Sequence, residues 1–242
     1  MTNYVLVIAH PDDESMFFLP TLHNLIRDST SDDTFQVLCL SNGNYNGIGH
    51  IREIELQKAI MFISDAIRLT VVMNEKLQDG PNQTWQHDVI ANEIKSNVKD
   101  LQGYLVLITF DEGGVSNHPN HIDTCRGVLN FFEKENRAKS DCHLQLWQLK
   151  TIYNPIQKYL IIFEIIFRLL KWFSACFMID GEEHDRHKTF FMFQPFLTWC
   201  VMKMHHSQFV WYRRLFVLFS RYSYWNDFDV YENKKYESKK TM

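Results

Sequence analysis

Five apolar runs of strand length, spaced by segments of helical period, fill the first 150 residues: 4–9 (YVLVIA), 35–40 (FQVLCL), 67–73 (IRLTVVM), 104–110 (YLVLITF) and 143–152. Between them the spacing predicts helices over 14–28, 51–64, 86–100 and 119–135. Continuous apolar strands are those buried on both faces, and strands that alternate with helices pair in parallel. The expected fold class is therefore α/β: a Rossmann-like, doubly wound, mostly parallel sheet with helices on both faces. At 242 residues and 45% hydrophobic content, the chain has ample material for such a core.

The formal net charge is −4, so nothing suggests a nucleic-acid partner, whose footprint is a basic excess. Five cysteines (Cys39, Cys125, Cys142, Cys176 and Cys200) show no CxxC spacing and mostly sit in apolar runs. They read as core thiols of a reducing compartment, not as a disulfide framework. Met1-Thr2-Asn3 leads straight into the first strand, with no basic and apolar leader ahead of it.

From Tyr153 the composition changes. Residues 159–179 (YLIIFEIIFRLLKWFSACFMI) carry only Glu164, Arg168 and Lys171, at i, i+4 and i+7, so a helix there has one polar stripe on a greasy cylinder. Such a segment can lie in a membrane interface, pack on the domain, or span a bilayer. Residues 209–222 (FVWYRRLFVLFSRY) repeat the mixture of aromatics and arginines found at lipid headgroup boundaries; the alternative is a helix packed on the sheet. The expected organisation is a catalytic core over 1–152, an apolar extension of the same domain over 153–231, and a disordered tail over 232–242.

The chemistry gathers at two strand ends. "AHPDDE" (9–14) follows the first strand, and "TFDEGGVSNHPNH" (109–121) follows the fourth. In strand order 3-2-1-4-5 those strands are neighbours at the switch point, where such sheets bind ligands. Together the motifs offer His10, Asp13 and His121 as metal ligands, a donor set suited to zinc, although iron or manganese accept the same groups. Asp12 is then free to take a proton from water, and His118 to donate one or to hold an oxyanion. That inventory fits a metal-dependent amide hydrolase. Each motif alone has a plainer reading: acidic residues cap helices, and short His-x-x-His pairs are common. "GEEHDRH" (181–187) has metal-like composition but reads as a solvated loop.

"AHPDDE" with "HPNH" (118–121) resembles the PIG-L, or LmbE-like, family of zinc-dependent de-N-acetylases. "LSNGNYNGIGHIREIELQKA" (40–59) resembles the segment after the family's second strand, and "MHHSQFVWYRRLFVLFSRYSYWN" (204–226) the C-terminal block of its eukaryotic branch. That branch acts in GPI-anchor synthesis on N-acetylglucosaminyl-phosphatidylinositol. The resemblance implies a zinc enzyme with His10, Asp13 and His121 as ligands, Asp12 as general base and His118 stabilising the tetrahedral intermediate. It also implies a glycolipid substrate, a membrane surface as partner, and the cytosolic face of the endoplasmic reticulum membrane as location. Arg52 matches a family arginine near the substrate; a helix-surface pair with Glu55 is its other reading. His205, a further substrate-binding candidate, matches the eukaryotic block with Ser207 and Gln208. Two rival functions stay open: a soluble deacetylase of another N-acetylated glycoside, and an inactive membrane-bound adaptor.

Two departures stand out. Eukaryotic members typically begin with a transmembrane segment and this chain opens on a strand, so attachment would fall to 159–179 and the aromatic block, to partners, or to a segment before Met1. Bacterial relatives usually carry aspartate where this chain has Asn120, so the ionisation of His118 is expected to differ.

Overall fold

The computed structural model describes residues 1–137, 143–175 and 186–233. Its strands are β1 (Thr2–Ile8), β2 (Thr34–Cys39), β3 (Ile67–Val71), β4 (Tyr104–Phe110), β5 (His143–Leu149), β6 (His187–Phe191) and β7 (Trp225–Glu232). They form one sheet in the order β3-β2-β1-β4-β5-β7-β6. The first five are parallel, in the expected 3-2-1-4-5 order; β7 runs antiparallel to β5, and β6 antiparallel to β7. The central strands carry apolar residues on both faces because both faces are covered: Val5, Val7, Ile8, Val37, Leu38, Leu107 and Leu146 are fully buried.

The helices are α1 (Asp13–Phe17), α2 (Leu19–Arg27), α3 (Gly49–Ile63), α4 (His87–Val98), the single turn α5 (Gly114–Asn117), α6 (Pro119–Arg137), α7 (Pro155–Tyr159), α8 (Ile161–Ala175), α9 (Pro195–Met204) and α10 (Trp211–Phe219). The one helix expected over 14–28 is two, separated at Phe18 (φ −117°, ψ 0°). Pro20 is the cause: it lacks an N–H and crowds the preceding residues, so it starts a new helix.

The region expected as an extension instead completes the sheet, since β6 and β7 both come from it. Neither is a continuous apolar run: β6 reads His-Lys-Thr-Phe-Phe and is mostly exposed, and β7, Trp-Asn-Asp-Phe-Asp-Val-Tyr-Glu, buries alternate residues. Among the described residues, no helix is long and apolar enough to cross a membrane. In α8 Glu164 faces inward, with Arg168 beside it. Glu164 is 1% exposed, while Ile162, Phe163, Ile165, Ile166, Phe167 and Leu169 are all exposed. Glu164 accepts from Arg168 Nε (2.6 Å) and Gln157 Nε2 (2.7 Å), and lies 2.9 Å from Arg221 Nε. Arg168 and the buried Arg221 both continue to Asp227 on β7. The side chain of Lys171, residues 176–179, most of "GEEHDRH", Cys142, Cys176 and the tail beyond Asn233 lie outside the described residues.

Candidate active site

The switch point between β1 and β4 gathers both motifs. Asp13 opens α1, and its Oδ2 accepts the backbone N–H groups of Ala9 (3.1 Å) and His10 (2.8 Å), which fixes the carboxylate at the end of the strand. Asp12, just before it, has φ 113°, a left-handed conformation that costs a non-glycine residue energy and tends to persist at functional sites. The fully buried Glu14 supports it: Oε2 accepts the Asp12 N–H (3.1 Å), while Oε1 meets His205 Nε2 (2.6 Å).

From the other side, α5 and α6 deliver His118 and His121. The turn between them and β4 is strained, with Val115 at φ 60° and Asn117 at φ 58°. Gly114 (φ +56°) is required there: a Cβ would press on the Cβ of His121, and its carbonyl accepts from His121 Nδ1 (3.0 Å). Val115 is held by Thr151, whose hydroxyl takes its N–H (2.8 Å), and by Lys158, which donates to its carbonyl.

Ligand atoms of His10, His118 and His121 all lie within 4.8 Å of one another, and Asp13 stands among them. His121 Nε2 is 3.1 Å from Asp13 Oδ1, and His10 Nδ1 is 3.9 Å from Asp13 Oδ2. The partners assign the tautomers. His121 donates through Nδ1 to Gly114, which leaves Nε2 as a lone pair facing a buried carboxylate oxygen. His10 Nε2 faces two acceptors, Asp79 Oδ1 (3.1 Å) and Asn120 Oδ1 (3.2 Å), so it carries the hydrogen and Nδ1 is bare. Two bare imidazole nitrogens and a carboxylate converging in a buried space need a proton or a cation between them. The donor set therefore fits a metal ion.

His118 differs. Its Nδ1 accepts the Asn120 N–H (3.3 Å), so in the neutral ring Nε2 carries the hydrogen and points a donor, not a lone pair. Burial, then the neighbouring His10 and His121, push its pKa down to about 4, which keeps the ring neutral. The Asn120 side chain serves His10, not His118 as the sequence suggested. Against the cost of burial, the charges of His121 and His10 hold the Asp13 carboxyl well below its usual range. His10 is raised: burial disfavours its charge, but Asp79 and Asp13 outweigh it.

Arg52, on α3, is 7% exposed and does not pair with Glu55. Its Nη2 donates to the Pro11 carbonyl (2.7 Å) and lies 3.5 Å from Asp12 Oδ1; its Nη1 donates to the Gly43 carbonyl (3.0 Å) and reaches Asp79. Gly43 has φ +70°, and a Cβ there would overlap the guanidinium. The C-terminal block clamps these parts from outside. Ser207 gives its N–H and hydroxyl to Glu55 (2.7 and 2.6 Å), and Gln208 Oε1 accepts from Arg213, which also bonds Asp12. His205 is fully buried and touches Glu14, so it braces the site instead of binding substrate; a substrate contact would need exposure to the cavity.

His10, Asp12, Asp13, His118 and His121 line a cavity of about 500 Å³ that also includes Arg52, Asp79, Lys158 and Gln208. Beside it lies an apolar groove of about 420 Å³ between α7 and α10. Met16, Tyr159, Tyr212, Arg213 and Phe216 border both. Sequence reading missed Asp79 and Arg213; Asp79 sits in a Gly-Pro loop with no motif, and Arg213 reads as one of several basic residues in an aromatic helix.

This fold is that of the LmbE-like α/β deacetylases. A teicoplanin deacetylase solved in a zinc-inhibited form superposes with a TM-score of 0.57 at 13% identity, covering 96% of this chain and 99% of that one. The family model for PIG-L, GlcNAc-PI de-N-acetylase, matches residues 5–132. An N-acetylglucosaminyl-phosphatidylinositol de-N-acetylase of Bos taurus is 32% identical over 90% of this chain and 79% of its own length. A probable one of Dictyostelium discoideum is 33% identical over 92% and 90%. The chain belongs to the PIG-L family.

Proposed function

We propose that this chain is a zinc-dependent hydrolase that removes the acetyl group from N-acetylglucosaminyl-phosphatidylinositol at the cytosolic face of the endoplasmic reticulum membrane. His10 Nδ1, His121 Nε2 and Asp13 would hold the ion; His118, presenting an N–H, would stay outside the ligand set. A divalent cation held there supplies a Lewis acid for the acetyl carbonyl and makes water a nucleophile at neutral pH.

The chain's own residues do the rest. Asp12 accepts the proton of the attacking water as the new C–O bond forms. The neutral His118 donates Nε2–H to the oxygen that becomes negative, a contact that strengthens only as charge develops there. The C–N bond then breaks, the leaving nitrogen takes up the proton, and acetate and the free amine separate. Arg52 keeps Asp12 in place through Pro11 and the carboxylate.

The observation that carries the lipid part is the groove of Tyr159, Leu160, Leu215 and Phe219, continuous with the catalytic cavity. It opens beside two exposed apolar faces, on α8 and on α10, where Trp211, Tyr212, Leu215, Leu218 and Phe219 are exposed. A helix that sets Glu164 and Arg168 in ion pairs with the domain and turns its apolar residues outward suits an interface with lipid.

The test is deacetylation of the lipid-linked sugar, with metal stripped and zinc restored, beside Asp12→Ala. Zinc-restored activity that Asp12→Ala abolishes is expected. Activity that survives chelation would overturn the mechanism, and activity on lipid-free sugars alone would overturn the substrate.

A further inference from the structure

Three cations line the catalytic cavity: Arg52, Lys158 and Arg213. Arg52 is committed to Pro11, Gly43, Asp12 and Asp79, and Lys158 to the Val115 carbonyl. Arg213 is different in place and in exposure: the Arg52 and Lys158 side chains are buried, so their remaining donors are not open to a ligand. It alone of the three also borders the apolar groove, and all its hydrogen bonds, to Asp12 Oδ2 and to Gln208, come from Nη1. Among the described residues its Nη2 and Nε have no partner, and the side chain is 21% exposed. The site therefore reads, in order, imidazoles and carboxylates, one guanidinium with open donors, then apolar wall.

We propose that Arg213 is an anion subsite that reads the phosphodiester of the substrate through Nε and Nη2, while Nη1 keeps its bond to Asp12. The inference rests on the lipid-linked substrate proposed above. In that molecule the groups follow in matching order: the acetamide on the sugar, the phosphate one inositol ring further, and the acyl chains after it. A guanidinium fork is shaped for two phosphate oxygens, and a phosphodiester is a partner Asp12 does not exclude, because the open donors are additional to the one it holds. Arg213, on Asp12 through Nη1 and on the phosphate through its open donors, is thus a specificity determinant that ties the headgroup to the base.

The experiment uses the zinc-loaded full chain, Arg213→Gln and Arg213→Lys, each checked for folding by thermal melting. Calorimetry measures binding of glycerophosphoinositol, which carries the phosphodiester without sugar or acyl chains, against phosphate-free inositol. Kinetics compare the lipid-linked sugar with N-acetylglucosaminyl-inositol, which lacks the phosphate. Glycerophosphoinositol is expected to bind the wild type and to bind Arg213→Gln about tenfold or more weakly, the order of one charge-assisted hydrogen bond, with Arg213→Lys between. The rise in KM should be at least about tenfold greater for the phosphate-bearing substrate than for the phosphate-free one. Equal headgroup binding by wild type and Arg213→Gln, or equal losses on both substrates, would overturn the subsite and leave Arg213 a brace for Asp12. Headgroup binding through Arg213 in a protein that does not deacetylate the lipid would instead overturn the proposed function.

Discussion

Asp79 Oδ1 stands 3.1 Å from His10 Nε2 and decides which nitrogen of that ring is left bare. A histidine that binds metal through one nitrogen commonly gives its other N–H to a carboxylate, which fixes the ring and raises its basicity. Asp79 is also within reach of Arg52 Nη1 (3.4 Å), so one loop carboxylate is tied to both the histidine cluster and the arginine that holds Asp12.

Replacing Asp79 by alanine is expected to weaken zinc binding about 10- to 100-fold, read by chelator competition. Asp79→Asn keeps an acceptor and should fall between. Zinc affinity equal to that of the wild type would mean that His10 is oriented by Asn120 alone.

Asp12→Asn removes the base and keeps the shape. It should lower kcat by about 10²- to 10⁴-fold while bound zinc, measured by elemental analysis, stays stoichiometric. Loss of zinc together with activity would place Asp12 among the ligands.

His205 and Glu14 form a pair with both side chains fully buried. Removing one partner strands the other charge, so His205→Ala should cost about 3–5 kcal/mol in urea unfolding. His205→Gln, which can still donate to Glu14, should recover part of it. Because Glu14 also holds the Asp12 N–H, the alanine variant should lose activity even where it remains folded.

The ion pairs under α8 have a pH signature. Burial alone would raise Asp227 and Glu164, but Arg221 and its neighbours lower both below their ordinary values of 3.8 and 4.5. A carboxylate depressed in the folded state contributes stability that is complete above its unfolded value and lost as pH falls through the folded one. Acid titration should therefore destabilise the wild type below about pH 4.5. Asp227→Asn should be less stable at pH 7 and show a shallower loss below pH 4.5, followed by thermal melts across that range.

Much of this was legible in the sequence. The 3-2-1-4-5 order and the meeting of His10, Asp12 and Asp13 with His118 and His121 follow from strand-length apolar runs that each end in a polar motif. What was hidden depended on contacts across long sequence separations. Asp79 acts through a loop whose composition signals only a turn. Strand β6 is short and mostly exposed and β7 is half polar, so periodicity gave neither a buried signature. In α8 the charges were visible, but a stripe of charge does not say which way it faces; Arg221 and Asp227, distant in sequence, draw Glu164 and Arg168 to the domain.

Asn226 gives its amide N–H to the Phe17 carbonyl at 2.8 Å and takes the Thr21 hydroxyl at 2.7 Å, so β7 braces the helices that follow the first motif. The brace is made more than 200 positions after the residues it secures. A ribosome delivers "AHPDDE" early and this support much later, and contacts so far apart in sequence close slowly. A nascent chain that has not yet reached β7 therefore carries both motifs without the brace behind the first of them.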